Sequence, residues 1–297
     1  MATDSATAAP AIALIGAGLM GGGLARVFRG AGWPVSAWDQ SAPALERLCR
    51  EVPGVRAARD LADAVRDAAL VIEAIVEKAG IKQELFAQLA SLTGERTLLA
   101  TNSSVIPVGT VAAKVPERHA GRVLGTHFWN PPDLIPLVEV IQGPRTTLAS
   151  IERALALLTA AGKEPVHVRR DVVPGNRLQH ALWREAMALV DEGVCSPADV
   201  DHIIKRSFGA RLAVLGPLEN ADLVGLELTR QIHEVVLPLL SRSTTPSPAL
   251  TARLDAGHTG IASGEGFHEG WNEASVKSLR DRLAAHLRRS FGVRQVQ

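Results

Sequence analysis

Short apolar runs alternate with segments of helical period through the first half of the chain. AIALI (residues 11–15) is such a run; a glycine-rich turn follows, then LMGGGLARVFRGAG, whose apolar positions fall on one helical face. VSAWD (35–39), a helix from about Pro43 to Arg50, a short VRAA strand, another short helix and ALVIEAI (69–75) continue the rhythm. A helix around IKQELFAQLASL and the run TLLATN (97–102) come next, and VLGTHFW and LVEVI are two further strand candidates. This β-α-β alternation predicts an α/β fold with a largely parallel sheet covered on both faces. The connection HFWNPPDLIP is too short for a helical crossover, so the strands it joins are expected to be antiparallel.

Beyond about residue 170 the pattern changes. RLQHALWREAMALVDEG, PADVDHIIKRSFG and LENADLVGLELTRQIHEVVLPLL all carry apolar residues at three-to-four spacing, and strand-like runs cease. A second, smaller, all-helical domain is expected, with the boundary near VHVRRDVVPGN. The expected division is a tail over 1–10, an α/β domain over 11–172 and a helical domain over 173–297. SRSTTPSPAL (241–250) reads as a loop and LRDRLAAHLRRSF as a terminal helix.

Composition narrows the choice of partners. Hydrophobic residues make up 46% and charged residues 21%, with a formal net charge of +1 and no long run of one sign. That supports a packed core and gives no electrostatic case for nucleic acid or a membrane surface as partner. The start, MATDSATAAPA, lacks a basic segment and an apolar core of leader length, so it reads as a disordered tail. No apolar run is long enough to span a bilayer. Cys49 and Cys195 lie far apart without metal-type spacing, which fits a reducing cytoplasm and no metal site.

GAGLMG follows directly on the first strand, with Gly16, Gly18 and Gly21 in the G-x-G-x-x-G pattern. The glycines permit a tight turn, close approach of the backbone to a pyrophosphate, and close helix–strand packing. Leu19 and Met20 lie in the same loop and join the cofactor-binding candidates. Asp39 ends the next strand, where a carboxylate hydrogen-bonds ribose hydroxyls and repels a 2′-phosphate. No arginine follows, so NAD is favoured over NADP. A glycine-rich turn in some other α/β protein is the alternative.

A second set converges on the carboxyl ends of the strands, where such sheets bind ligands. Ser104 follows TLLATN, His127 ends the next strand, Glu139 lies in LVEVI, and Asn176 would open the first helix of the second domain. Oxidising an alcohol requires a base for the hydroxyl proton, and histidine titrates near the operating pH. A carboxylate on its far nitrogen fixes the tautomer. Serine and asparagine can hold the reacting oxygens. Each has a plainer alternative: Ser104 as cap of a helix near Pro107, Glu139 as an exposed edge-strand residue, Asn176 as a helix cap, His127 as a partly buried ring beside a rigid loop.

The stretches IGAGLMGGGLA, VIEAIVEKAGIKQELF, TNSS, HFWNPPDLIPLVEVI, GNRLQHALWREAMALVDEG and GPLENADLVGL together resemble the L-3-hydroxyacyl-CoA dehydrogenase family over nearly the whole chain. The resemblance implies a Rossmann dinucleotide-binding domain followed by a helical, dimer-forming domain. It implies His127 as catalytic base, Glu139 as its carboxylate partner, and Ser104 and Asn176 on the substrate oxygens. It implies Asn130 near the nicotinamide, with Glu77, Lys82 and Asn102 among the residues lining the cofactor cleft; for Lys82 the alternative is a solvated helix lysine. The implied reaction is NAD-dependent oxidation of the L-3-hydroxyl of a 3-hydroxyacyl-CoA, or its reverse. A homodimer in the cytoplasm acting on a small-molecule substrate is the accompanying expectation.

Departures from the family pattern point elsewhere for the substrate. Acyl-CoA members carry a long helical hairpin after the second strand, which is missing between Asp39 and Glu73. The junction DVVPGNRL is two residues shorter than the usual pattern, Ala262 stands where a lysine is usual, and Trp129 replaces a common phenylalanine. SFGARLAVLGP places Arg211 before the GPLEN helix, as in members such as gulonate dehydrogenases that oxidise small free hydroxy acids, and an arginine fork suits a carboxylate. A surface arginine is the alternative. The second functional expectation is therefore dehydrogenation of a free 3-hydroxy acid of gulonate or carnitine type. A third is a non-catalytic NAD-binding structural protein, as in the lens crystallin relatives. Lysine-dependent 3-hydroxyacid dehydrogenases are disfavoured, because NRLQHALWREAMALVDEG contains no lysine.

Overall fold

A computed structural model describes residues 9–292; the expected disordered tail falls, apart from its last two residues, outside them. The chain divides into two compact units, one running to Pro174 (with Phe291 and Gly292), the other Gly175–Ser290.

The first unit is built on β1 (Ala11–Ile15), α1 (Leu19–Gly30), β2 (Val35–Trp38), α2 (Ala42–Glu51), β3 (Val55–Ala57), α3 (Leu61–Val65), β4 (Ala68–Glu73) and α4 (Ala79–Leu92). It continues with β5 (Leu98–Thr101), α5 (Val108–Val111), α6 (Glu117–Ala120), β6 (Val123–Phe128), β7 (Leu137–Ile141), α7 (Leu148–Ala160) and β8 (Glu164–Val168). The strands form one sheet in the order β3-β2-β1-β4-β5-β6-β7-β8. The first six are parallel; β7 runs antiparallel to β6, and β8 parallel to β7.

This is a doubly wound Rossmann sheet whose order reverses between β1 and β4, so a crevice opens at the carboxyl ends of those strands. The central strands are continuous apolar runs because helices cover both faces. Ile12, Leu14, Phe28 and Leu70 belong to the core of one face, and Ile15, Phe86, Leu89 and Leu99 to that of the other. Phe28 of α1 stacks on Trp33 and meets Phe128 of β6 edge to face, which fixes the glycine-loop helix beneath the strand that carries His127.

Periodicity assigned nothing between LVEVI and the junction, where the structure has α7 and β8. Thr147 caps α7 by accepting from Ser150 N, and Ile151, Ala154 and Leu158 give it a buried stripe. Strand β8 reads EPVHV, with a proline and polar residues that hide it from an apolar-run search; it survives because it is an edge strand, where a missing N–H is tolerated.

The second unit contains α8 (Pro174–Asp191, beginning at the last residue of the first unit), α9 (Pro197–Arg206), α10 (Phe208–Arg211), α11 (Pro217–Val224), α12 (Leu226–Val236), α13 (Pro248–Asp255) and α14 (Glu273–Phe291). Ser196 and Ser247 cap α9 and α13, each ahead of a proline preset for the first turn. Among the described residues no helix is long and apolar enough to cross a membrane.

Candidate active site

The glycine loop has the shape its sequence predicted. Gly16 sits at φ 111°, and a Cβ there would lie 2.5 Å from the Ala74 carbonyl oxygen. A Cβ on Gly21 would lie 2.0 Å from the Gly16 carbonyl oxygen. Both positions therefore require glycine for packing against the backbone. Gly18 differs: nothing lies within 4 Å of its missing Cβ, so its side opens outward. It also starts α1 without any side-chain cap. A helix N-terminus of this kind is an anion site, and the residues fit a dinucleotide pyrophosphate. Leu19 is exposed beside it and Met20 is half-buried against the core.

Asp39 is held just past β2. One carboxylate oxygen accepts Ala17 N at 2.7 Å and the other Ser41 N at 2.7 Å, so the carboxylate faces the glycine loop. That geometry fits ribose-hydroxyl recognition.

His127 and Glu139 are direct cross-strand partners in the antiparallel β6–β7 pair. His127 Nδ1 lies 2.7 Å from Glu139 Oε2, and both side chains are buried. Strand β7 is not an edge, since β8 pairs outside it, so Glu139 cannot be the exposed edge residue considered from sequence. On the other side of the ring, His127 Nε2 lies 3.1 Å from Ser104 Oγ. Ser104 does not cap α5; Pro107 occupies that position, and no side chain caps it. With Glu139 accepting from Nδ1–H, Nε2 carries the lone pair and can take a proton from an alcohol. Trp129 stands edge to face with His127, ring centroids 5.5 Å apart.

Asn102 and Asn130 take different places. Asn102 is buried, and its side-chain oxygen accepts Phe128 N at 2.9 Å, bolting the end of β5 to that of β6. Asn130 is exposed and precedes Pro131 through a cis peptide. The turn behind it is held by Lys163, whose buried ammonium donates to the carbonyls of Pro132 and Ile135. Burial pushes this ammonium below the usual lysine range, with Asp133 acting the other way.

Lys82 corrects the plainer of its two sequence readings. It is not a solvated helix lysine: its side chain is 1% exposed, its ammonium 2.6 Å from Glu73 Oε1 and 3.3 Å from Glu77 Oε2. The reason is electrostatic. Glu73 lies at the end of β4 with no exposure, and a buried carboxylate requires an opposite charge; deleting one partner of such a pair costs about 3–5 kcal/mol. Glu77, less buried, accepts Ser103 Oγ and Ser104 N, both at 3.0 Å. Sequence reasoning missed Glu73, Thr101 and Ser103. The available signal was a carboxylate inside the apolar run ALVIEAI, which two-sided burial obliges to find a partner.

Asn176 and Arg211 belong to the second unit. Helix α8 begins at Pro174, so Asn176 is its third residue and not its opening cap; proline presets the first helical position, and the start shifts to it. Arg211 closes α10, is exposed, and its guanidinium bonds to no other described residue. Among the described residues no three His, Cys, Asp or Glu side chains are grouped to hold a metal.

A glycine loop at a sheet switch point, a carboxylate turned to that loop and a buried histidine–carboxylate pair fit a nicotinamide-dependent oxidoreductase. The chain matches the model of the 3-hydroxyacyl-CoA dehydrogenase NAD binding domain over residues 11–54 and 50–172, and that of the 3-hydroxyacyl-CoA dehydrogenase C-terminal domain over 174–270. It belongs to the 3-hydroxyacyl-CoA dehydrogenase family and is an NAD-dependent dehydrogenase of that kind.

The 5-formyl-3-hydroxy-2-methylpyridine 4-carboxylate 5-dehydrogenase of Mesorhizobium japonicum is 34% identical, over 86% of this chain and 89% of that one. A solved structure of a dehydrogenase of that name, described as an NAD+ dependent dismutase, superposes with a TM-score of 0.89 at 31% identity, covering 96% of this chain and all of the other. The L-carnitine dehydrogenase of Streptomyces griseus subsp. griseus is 36% identical over 73% of this chain and 70% of its own. The 3-hydroxyacyl-CoA dehydrogenase structure from Archaeoglobus fulgidus, at 28% identity and the same coverages as the first structure, has a TM-score of 0.71.

Proposed function

We propose that the protein oxidises the hydroxyl of a small free hydroxy acid, or reduces the matching carbonyl, and that CoA thioesters are not its substrates. The observation that carries this reading is the crossover between β2 and β4. It holds only the ten-residue α2, the strand β3 and the five-residue α3. The long helical hairpin that helps acyl-CoA members hold CoA has no counterpart there. The higher TM-score to a dehydrogenase named for a pyridine carboxylate supports the same reading.

His127 is the acid/base group in this reading. Glu139 holds its Nδ1–H, and Nε2 takes the hydroxyl proton beside Ser104 Oγ. Bound NAD supplies the hydride acceptor, held by the Gly16–Gly21 loop and Asp39. In the same reading Asn130 serves the nicotinamide, Asn176 the substrate oxygens, and Arg211 the substrate carboxylate.

Two further expectations belong here. The second unit exposes Val214, Leu218, Leu223, Val235 and Leu239 extensively, and only Val200 and Val276 among its described hydrophobics are fully buried. An apolar surface of that extent supports a homodimer formed through the helical domain. Two cysteines without a disulfide suit a cytoplasmic location.

The acyl-CoA reading has the family's own description in its favour. NADH-linked turnover on a panel separates the two: L-carnitine, aldonic acids, 3-hydroxybutyrate and the pyridine carboxylate against 3-hydroxybutyryl-CoA. Turnover of free acids alone is expected. Turnover of the thioester alone would reject the free-acid reading and Arg211 as a carboxylate clamp.

A further inference from the structure

Glu73 does more than balance a charge. Its side chain has no exposure and three donors: Ile75 N at 2.7 Å and Lys82 Nζ at 2.6 Å on Oε1, and Thr101 Oγ1 at 2.7 Å on Oε2. Thr101 is its register partner on β5, so the carboxylate is locked to the ends of two parallel strands at the switch side of the sheet. Stability alone does not call for this arrangement. A buried ion pair is commonly no better than apolar residues of the same volume.

What the pair achieves lies in front of it. Lys82, fixed from behind by Glu73, reaches 3.3 Å to Glu77 Oε2. Glu77 is 40% exposed at the side chain, where a carboxylate is ordinarily free to choose among rotamers. Here its two oxygens receive Ser103 Oγ and Ser104 N. Ser103 Oγ accepts Ile106 N at 2.8 Å, and Ser103 N donates to Thr101 Oγ1 at 3.2 Å, so the turn after β5 is tied at both ends. Ser104 Oγ then stands 3.1 Å from His127 Nε2. An unbroken series of polar contacts, none longer than 3.3 Å, runs from Glu73 to the catalytic ring.

We infer that Glu73 is a positioning residue: through Lys82 it sets the rotamer of Glu77, which fixes the Ser104 backbone and so the approach of Ser104 Oγ to His127. The kinetic consequence rests on the dehydrogenase reading above; the structural one does not. Misplacing a group at a reacting centre by about 1 Å can cost on the order of a hundredfold in rate.

The test is a mutant cycle with a crystallographic arm. Glu73→Gln and Glu77→Gln are each expected to lower kcat about 10- to 100-fold, and the double variant to be no worse than the poorer single one, as for residues acting through one chain. Additive losses overturn the proposal. Crystal structures of wild type and Glu73→Gln should show Ser104 Oγ withdrawn beyond hydrogen-bond distance of His127 Nε2; an unmoved Ser104 overturns it whether or not a substrate is known. If Glu73→Gln does not fold, Glu73→Gln/Lys82→Met removes both charges and keeps the volume. Recovered melting temperature with kcat still depressed supports positioning, and recovery of both shows that the pair is structural only. Wild type inactive on every acid and thioester counts against the functional reading and leaves the crystallographic comparison to decide this one.

Discussion

His127 and Glu139 face each other across the antiparallel β6–β7 ladder, with Nδ1 2.7 Å from Oε2. The register of two strands thus delivers the imidazole already oriented, with Nε2 3.1 Å from Ser104 Oγ. Replacing Glu139 by glutamine keeps the shape and removes the charge that selects the Nδ1–H tautomer. Glu139→Gln should lower kcat about 10²- to 10⁴-fold, and raising the pH should not restore it, because a wrong tautomer is not repaired by deprotonation. A kcat–pH series on both proteins checks this; recovery at alkaline pH would show that the carboxylate does not choose the tautomer.

Gly16 and Gly18 should fail in opposite ways. Gly16→Ala forces a Cβ to 2.5 Å from a carbonyl oxygen at φ 111°, and a strained backbone of this kind costs about 1–3 kcal/mol before the clash is added. Its melting temperature should fall clearly. Gly18→Ala meets nothing, so it should melt like wild type while binding NADH on the order of tenfold more weakly, about 1.4 kcal/mol. Calorimetry and NADH titration of both variants separate packing from cofactor approach; equal losses in both assays would argue against the distinction.

Asp39→Asn should shift cofactor preference. The carboxylate's negative charge opposes a 2′-phosphate, and removing like-charge repulsion should raise kcat/KM for NADP relative to NAD by on the order of tenfold. Rates measured with both cofactors decide it, and an unchanged ratio would place the discrimination elsewhere.

Lys163 sets a pH dependence of stability. Burial holds its folded value below that of the unfolded chain, so folding disfavours the proton it carries. Stability from this group is therefore lowest while both states are protonated, and it rises with pH through the window between the lowered folded value and the ordinary lysine value. The unfolding free energy of wild type minus that of Lys163→Met should climb across the alkaline range and then level. Denaturant unfolding at a series of pH values checks the sign; a falling difference would mean that the two carbonyls stabilise the charged form outright.

Much of this was legible in the chain because local rules dictate it. The glycine loop announces itself by spacing, the β6–β7 hairpin by a connection too short for a helix, and the helical unit by its period. What stayed hidden depends on partners distant in sequence. Glu73 lies inside a run that reads as apolar, and its meaning emerges only when Thr101 and Lys82 arrive from β5 and α4. Lys163 lies in a stretch to which periodicity assigned no element, and it holds the turn beyond Asn130 from 28 to 31 positions away. Strand β8 was obscured by Pro165, and Asn176 was displaced from the cap position by Pro174 two residues earlier.

The most direct test of the central claim is His127→Ala, measured as kcat on the best substrate from the panel together with NADH affinity. With His127 as the base, kcat should fall about a hundredfold or more while NADH binds as in wild type. Undiminished turnover with cofactor still bound would contradict the account.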